Sequence, residues 1–325
     1  MILAGDIGGT KTILALFETE PGRGPSVLET YRSREHPSFL EVVSAFVARH
    51  HPRIDLACVG AAGPIKKNRC EATNLPWVVD GAEIAAQLSL AQVVLLNDLE
   101  AFAHGVAVLG ADDVLELNAG APGAAGNRAV IAAGTGLGEA GLFWDGAAYR
   151  PFASEGGHAD FAPHDELEMD LLRFLLKEHG RISWERLVSG MGLVNIYRFL
   201  RDTGRESEPA WLAVALAQGD PGQVISESAG RSTLCARTLE LFVKLYGAEA
   251  GDLALKVMAT GGVYVGGGIA PKNVEWMQGG AFLRAFTAKG RMRPLMEAMP
   301  VRLILNDQTG LLGAAHCARL RASQG

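Results

Sequence analysis

The chain has 325 residues, of which 30 are basic and 36 are acidic, for a formal net charge of −6. Hydrophobic residues make up 48% and charged residues 20%, which excludes low-complexity disorder and gives no electrostatic drive toward nucleic acid or an anionic membrane. Length favours about two domains, and four widely spaced cysteines argue against a disulfide framework or a zinc ribbon. The sequence contains no apolar run of the roughly 18 residues that a membrane span needs. We therefore expect a soluble, cytoplasmic protein with no nucleic acid or membrane partner.

The first hundred residues alternate between strand-like and helix-like segments. Hydrophobic periodicity predicts strands at 2–7, 12–18, 27–33, 54–61 and 93–96, and helices at 37–49, 80–88 and 99–108. The first three strands are joined by short connections and read as hairpins. The later strands are separated by helices, as in the crossover units of a parallel sheet.

The pattern then restarts after an acid- and glycine-containing segment at 111–127, in which 119–123 is predicted to be a loop and near which we place the domain change. Strands are predicted at 129–133 and 140–144, on either side of the glycine turn Gly134-Thr135-Gly136-Leu137-Gly138. Residues 2–18 follow the same strand–glycine turn–strand plan, which indicates an internal structural duplication.

The rest of the chain is mainly helical. Helical periodicity dominates residues 164–258, and a last strand at 301–305 precedes a last helix at 308–319.

The chain has 40 glycines, and some of them form three clusters beside apolar segments. In Asp6-Ile7-Gly8-Gly9-Thr10-Lys11, a tight turn would expose backbone N–H groups that can bind phosphate, and Asp6 could hold Mg²⁺ through water. The second cluster is 134–138 and the third is 261–268. Each alone fits a hairpin turn, close helix packing or a hinge, whereas three together favour a nucleotide-binding protein. The match of 136–141 to a dinucleotide fingerprint fails, because a strand-like segment follows where that motif needs a helix.

Two further segments carry groups suited to a sugar. Asn97-Asp98 follows an apolar strand, at the end where open α/β sheets bind ligands. A carboxylate there can accept a hydroxyl proton, or Asp98 can simply cap the next helix. Ser154-Glu155-Gly156-Gly157-His158 places an acid and an imidazole on a glycine-rich loop; they suit vicinal hydroxyls, although a plain surface loop is the alternative.

These motifs, with Phe161-Ala162-Pro163, resemble in order and spacing those of the bacterial-type glucokinases of the hexokinase, actin and Hsp70 superfamily. The resemblance implies an α/β fold of two ribonuclease H-like (actin-like ATPase) domains around a cleft. A small domain would comprise 1–110 and about 303–325, and a larger domain with added helices would comprise 111–302.

The resemblance also implies a role for each matching residue. Asp98 would accept the proton of the sugar 6-hydroxyl, and Asp6 would lie near Mg²⁺. The sugar hydroxyls would be bound by Asn97, Asp98, Glu155, His158 and Glu185. ATP would be bound by Gly5, Asp6, Ile7, Gly8, Gly9, Thr10, Lys11, Gly134, Thr135, Gly136, Gly138, Gly261 and Gly262, with the last two at the adenosine.

The activity so implied is transfer of the γ-phosphoryl group of ATP to the 6-hydroxyl of glucose, the first step of glycolysis. ATP and Mg²⁺ are the expected cofactors, no zinc is expected because no cysteine cluster follows His158, and the protein would be a homodimer. Two alternatives stay open: a kinase of another hexose or N-acetylhexosamine, and a non-catalytic nucleotide- or sugar-binding regulator. The presence of Asp98, Glu155, His158 and Glu185 together disfavours the regulator.

Overall fold

The computed structural model describes residues 1–20, 22 and 24–322; residues 323–325, which end the predicted small domain, lie outside the described part. The chain divides into two compact units. The first unit is Met1–Ala111 together with the chain from Asn306 onward, and the second is Asp112–Leu305.

The first unit contains a five-stranded mixed sheet, a small three-stranded sheet and four helices among its described residues. Its strands are β1 Ile2–Ile7, β2 Lys11–Phe17, β3 Val27–Arg32, β4 Leu56–Ala61, β5 Ile65–Lys66, β6 Arg69–Glu71, β7 Val78–Asp80 and β8 Val94–Asn97. Its helices are α1 Phe39–His50, α2 Gly81–Leu88 and α3 Asp98–Val106, and the chain returns to this unit with its last helix, Thr309–Ala322.

The second unit adds six strands and eight helices. Its strands are β9 Val114–Asn118, β10 Arg128–Ala133, β11 Leu137–Trp144, β12 Tyr149–Ser154, β13 Gly262–Gly266 and β14 Val301–Ile304. Its helices are α4 Glu166–Leu175, α5 Gly190–Asp202, α6 Ala210–Gln218, α7 Pro221–Ser228, α8 Thr233–Val257, α9 Val274–Gln278, α10 Ala281–Thr287 and α11 Arg293–Glu297, so that Thr309–Ala322 is α12.

The two main sheets confirm the predicted duplication. The first has the strand order β3-β2-β1-β4-β8, and the second has the order β12-β11-β10-β13-β14-β9. In both, the first strand of the unit's hairpin pairs antiparallel with the second strand and parallel with a later crossover strand. The first five positions therefore have the same order and direction, and only β9 has no counterpart.

The first sheet is buried on both faces, which explains its continuous apolar strands. Leu3 and Val59 pack on the side of α1 and α2, whereas Ala4 and Cys58 pack on the side of α3 and α12. In the second unit, one long helix, α8, packs against the sheet within a single large core. The strands predicted at 54–61 and 129–133 are thus found as β4, which begins at Leu56, and β10, which begins at Arg128.

Two local features differ from the sequence prediction. Val114–Asn118, which was not predicted to be a strand, forms β9 and pairs antiparallel with β14, a contact with residues nearly 200 positions away that no local pattern reveals. Strand β11 begins at Leu137 and not at residue 140, since Leu137 and Gly138 already pair with Ala133 and Ala132. The second glycine turn is correspondingly shorter, from Gly134 to Gly136.

Candidate functional site

The first glycine turn joins β1 to β2. Gly8 donates its N–H to the carbonyl of Lys11 at 3.0 Å, so this amide closes the turn and is not available to a ligand. Thr10 and Lys11 are exposed at its tip. Gly5 and Ile7, which were predicted to bind ATP, are buried inside β1, and the part of this segment that a phosphate can reach is the turn itself.

Ser33 stabilises the turn through hydrogen bonds. The sequence analysis missed this residue. Its hydroxyl donates to the carbonyl of Gly8 at 2.8 Å, and its N–H donates to the carbonyl of Thr10 at 3.0 Å. Thr12 lies 2.9 Å from the same hydroxyl. The turn is therefore held in one shape before any ligand binds.

Two carboxylates lie close together in the first unit. Asp6 is in β1, one residue before its end, and Asp98 is the first residue of α3, directly after β8. Burial and the neighbouring Asp98 carboxylate raise the pKa of Asp6 to about 6, although the Lys11 ammonium acts in the opposite direction. The two acids thus repel each other, an arrangement that a divalent cation would stabilise.

Asn97 caps the N-terminus of α3. The sequence analysis offered this role as an alternative for Asp98. The Asn97 carbonyl oxygen accepts the N–H of Leu99 at 2.9 Å, and its amide donates to the carbonyl of Gly63 at 3.1 Å. Asp98 Oδ1 lies 3.0 Å from the same Leu99 nitrogen. Asp98 is half-buried at the positive end of a helix, which attracts a carboxylate.

In the second unit, the turn Gly134–Gly136 is tied to Glu185. Glu185 Oε2 accepts the N–H of Leu137 at 3.1 Å, and a Cβ on Gly136 would overlap that oxygen. Gly190 also donates its N–H to the carbonyl of Gly134 at 2.8 Å. Thr135 is exposed at the tip of the turn, and Gly138, a predicted ATP ligand, lies within β11.

Glu155, His158 and Glu185 come together beside this turn. His158 Nδ1 lies 3.8 Å from Glu185 Oε1, and His158 Nε2 lies 4.0 Å from Glu155 Oε2. These distances are too long for hydrogen bonds. The exposed fractions of the side chains are 89% for Glu155, 59% for His158 and 24% for Glu185, so two acceptors and an imidazole face solvent together.

Close backbone packing fixes the loop that carries Glu155 and His158. A Cβ on Gly157 would overlap the carbonyl oxygen of Leu137, and one on Gly156 would overlap the carboxylate of Glu139. The carbonyl of His158 accepts a hydrogen bond from Arg181 at 2.8 Å. The loop therefore lies directly on the start of β11, which only glycine at these two positions allows.

The structure does not bring Gly261 and Gly262 to the second glycine turn. Both are buried, and Gly262 pairs with Arg128 at the start of β10, whereas the turn follows the end of β10. The segment that lies beside the turn is Gly266–Gly268, because Gly266 pairs with Ala132. Gly267 has a φ of +82°, and a Cβ there would overlap the carbonyl of Ala133.

Sequence analysis quoted the whole cluster 261–268 and selected Gly261 and Gly262, whereas the opposite end of the cluster lies beside the turn. Which end of β13 meets the turn depends on the parallel register of β10 and β13, which is a property of the sheet. Tyr246 in α8 fixes both strand ends: its hydroxyl accepts the N–H of Ala133 at 3.0 Å and lies 3.0 Å from the Gly266 carbonyl.

The described residues contain no group of three or more His, Cys, Asp or Glu side chains arranged to hold a metal ion. In the same part of the chain, no helix combines the length and apolar character needed to cross a membrane.

Comparison with known proteins identifies the family. The sequence profile described as "Glucokinase" matches residues 3–321. A glucokinase from Nostoc punctiforme is 45% identical over 336 residues, which covers 98% of each chain. The structure of a glucokinase from an Antarctic psychrotroph has a TM-score of 0.84 at 31% identity, with 98% of each chain covered. A ROK family glucokinase from Streptomyces griseus, solved with glucose and AMPPNP, has a TM-score of 0.67 at 25% identity and covers 98% of this chain and 99% of its own.

The duplicated sheet, its glycine turns and the facing acid and imidazole side chains define a sugar kinase of the actin-like ATPase fold. That fold class is the one the motifs implied. The chain belongs to the glucokinase family. It is an ATP-dependent hexose kinase that phosphorylates glucose, which confirms the activity predicted from the sequence.

Proposed function

We propose which residues of this kinase bind the sugar, which one accepts its proton and which ones hold ATP. The observation that carries the proposal is the double contact of Glu185, since Oε2 accepts the N–H that follows the second glycine turn and Oε1 faces His158. A sugar held by Glu185 would therefore lie next to the phosphates held by that turn. Placing acceptor and donor side by side is the main source of rate in phosphoryl transfer.

In the second unit, Glu155, His158 and Glu185 bind the sugar hydroxyls. Carboxylates accept hydrogen bonds from vicinal hydroxyls, and the imidazole donates one and accepts another according to its tautomer. The open 3.8 and 4.0 Å separations leave space for hydroxyl groups to bridge the three side chains. Asn97 is the weakest member of the predicted set, because both ends of its amide already make hydrogen bonds.

Asp98 is the general base in this proposal. Its carboxylate accepts the proton of the glucose 6-hydroxyl while that oxygen forms a bond to the γ-phosphorus. The bond between the γ-phosphorus and the bridging oxygen breaks, and ADP leaves. Asp98 lies in the first turn of α3, where the positive end of the helix attracts a carboxylate.

ATP is held at three glycine segments. The turns at Gly8–Lys11 and Gly134–Gly136 present backbone N–H groups and the Thr10 and Thr135 hydroxyls to phosphate oxygens. Gly266–Gly268 replaces Gly261–Gly262 as the segment proposed to approach adenosine. Its position beside Ala133 and the positive φ of Gly267 support this assignment.

Asp6 fits a magnesium ion carried by the nucleotide. Mg²⁺ binds through one or two carboxylates together with phosphate oxygens and water. Burial and, after it, the neighbouring Asp98 carboxylate raise the pKa of Asp6, and a cation would relieve the repulsion between the two acids. When bound, the ion neutralises charge on the β- and γ-phosphates. Asp6 would orient it through water.

We further infer a cytoplasmic homodimer. Support for self-association comes from α6, an apolar helix that exposes Trp211 and Val214, because exposed apolar surface is typical of protein interfaces. Light scattering after gel filtration gives the mass directly, and a monomeric mass contradicts this inference.

The activity is tested by ADP release from Mg-ATP with glucose, mannose, fructose, N-acetylglucosamine or no sugar. Release that depends on glucose, with little in the blank, supports the proposal. Release with another sugar alone changes the substrate, and no release with any sugar supports a binding protein.

The sugar site is tested by Glu155→Gln. This change should raise the KM for glucose by at least about tenfold, because a charge-assisted hydrogen bond contributes ~1.5–3 kcal/mol. The matched control is Glu166→Gln, an exposed glutamate in the first turn of α4, which should leave the KM unchanged. Equal KM values for both variants would remove Glu155 from the site.

A further inference from the structure

Two buried glutamates lie beneath the loop that carries Glu155 and His158. Glu139 is in β11 and Glu249 is in α8, and their exposed fractions are 1% and 0%. The two carboxyl groups are within hydrogen-bonding reach of each other. Neither residue belongs to the glycine turns or to the proposed sugar ligands.

In the part of the chain that the structure describes, the two acids form an ion pair with one cation, Lys256, whose Nζ lies 3.4 Å from Glu249 Oε1. Among the described residues, no donor reaches Glu139 Oε1, Glu139 Oε2 or Glu249 Oε2. Because two adjacent buried carboxylates cannot both be ionised at low cost, one proton between them is the donor that this arrangement requires.

The charged or titratable groups around the pair lie in three places. In α8 they are Asp252, Lys256 and Tyr246. In the loop above they are Glu155 and His158, and beyond α10 Lys289 forms an ion pair with Asp252. The neighbours of Glu139 in register on β10 and β12 are Ile131 and Ser154, which carry no charge. Burial raises the pKa of Glu139, and burial together with the Glu139 charge raises the pKa of Glu249 to about 9.

The pair is in direct contact with the sugar-binding loop. Gly156 lies so close to Glu139 that a Cβ would overlap Oε2, and Gly156 is the residue between Glu155 and Gly157. Its N–H donates to Ser154 Oγ at 2.9 Å. The loop therefore packs directly against the Glu139 carboxyl group.

We propose that Glu139 and Glu249 share one proton and, in that state, position the Glu155–His158 loop for glucose, so that loss of the proton weakens glucose binding. The inference rests on the proposed sugar site. Both glutamates are positioning residues, since neither reaches the surface where a sugar would bind. A second buried negative charge under Gly156 would repel Glu139 from Glu249 and displace the loop above it.

The test is the pH dependence of the glucose KM for the full-length enzyme. The wild-type KM should rise by about tenfold from pH 7.5 to pH 10. A single deprotonation near pH 9 lowers the fraction of enzyme that still carries the shared proton about tenfold per further pH unit. Glu139→Gln should keep the neutral-pH KM and abolish this rise, since an uncharged amide can donate permanently to Glu249. Glu249→Gln should also flatten the profile.

The matched control is Glu168→Gln, which changes another buried glutamate of the second unit, one paired with Lys244. It should keep the wild-type pH profile, and thermal melts at each pH identify any variant that has lost its fold. A Glu139→Gln profile equal to wild type overturns the inference. In that case, a raised KM for Glu155→Gln in the same experiment would still support the sugar site without the positioning pair. An unchanged KM for Glu155→Gln would contradict both proposals.

Discussion

Replacing Gly136 by alanine tests whether Glu185 connects the sugar site to the second glycine turn. Gly136 does not have a positive φ, so alanine fits the backbone there. The added Cβ would overlap Glu185 Oε2 and lie 3.4 Å from its Cδ. The obstacle is thus the end of one flexible side chain, and the fold can tolerate the change by moving that side chain.

The expected cost follows from the displacement. Oε2 must withdraw by about 1 Å to reach ordinary van der Waals contact, which lengthens its 3.1 Å hydrogen bond to Leu137 N to about 4 Å and breaks it. A displaced carboxylate forfeits its charge-assisted hydrogen bond to a sugar hydroxyl, about 1.5–3 kcal/mol. The KM for glucose should therefore rise roughly 10- to 150-fold, because 1.36 kcal/mol corresponds to a factor of ten.

The assay is steady-state ADP release with glucose and ATP varied in turn. Gly180→Ala is the control, since its Cβ meets no atom within 4 Å, and it should retain both KM values. Gly134→Ala provides a contrast in the same turn, because it also meets no atom within 4 Å and should leave the glucose KM unchanged. A Gly136→Ala enzyme with the wild-type glucose KM and a raised ATP KM would refute the proposed role of Glu185.

Three further predictions concern the base, the adenosine segment and the buried pair. Asp98→Asn should lower kcat by ~10²–10⁴ while calorimetry shows retained glucose binding; a wild-type kcat would leave Asp98 only a structural role at α3. Gly267→Ala should raise the ATP KM and lower the thermal midpoint, because φ is +82° and Cβ would overlap the Ala133 carbonyl, whereas Gly268→Ala should keep the midpoint; equal midpoints contradict this. Wild-type stability should decline from about pH 5 to about pH 9, because the native protein keeps a carboxyl proton that the unfolded chain, with its ordinary Glu pKa of 4.5, releases. Glu139→Gln should show a smaller decline in urea unfolding at pH 5.5 and 8.5, and an identical decline in both proteins would contradict the shared proton.

Local patterns account for the features that the sequence predicted well. A continuous apolar run of strand length identified β4, because this strand is buried on both faces of a sheet. The first glycine turn and the 154–158 segment were found because their side chains and glycines are adjacent in the chain. Asp98 was found because it directly follows a predicted strand, at the edge where ligands bind.

The order of elements, both glycine turns and most of the proposed sugar-binding residues were thus determined by the sequence itself, since neighbouring residues carry these signals. Only the tertiary structure decided that β9 joins β14, that Gly266–Gly268 and not Gly261–Gly262 lie beside the second turn, and that Glu139 meets Glu249 under the sugar loop. Each of these depends on the register or packing of segments more than 100 residues apart. Pairing over such distances is fixed by the fit of the whole sheet and its helices, for which a single sequence holds no local signal.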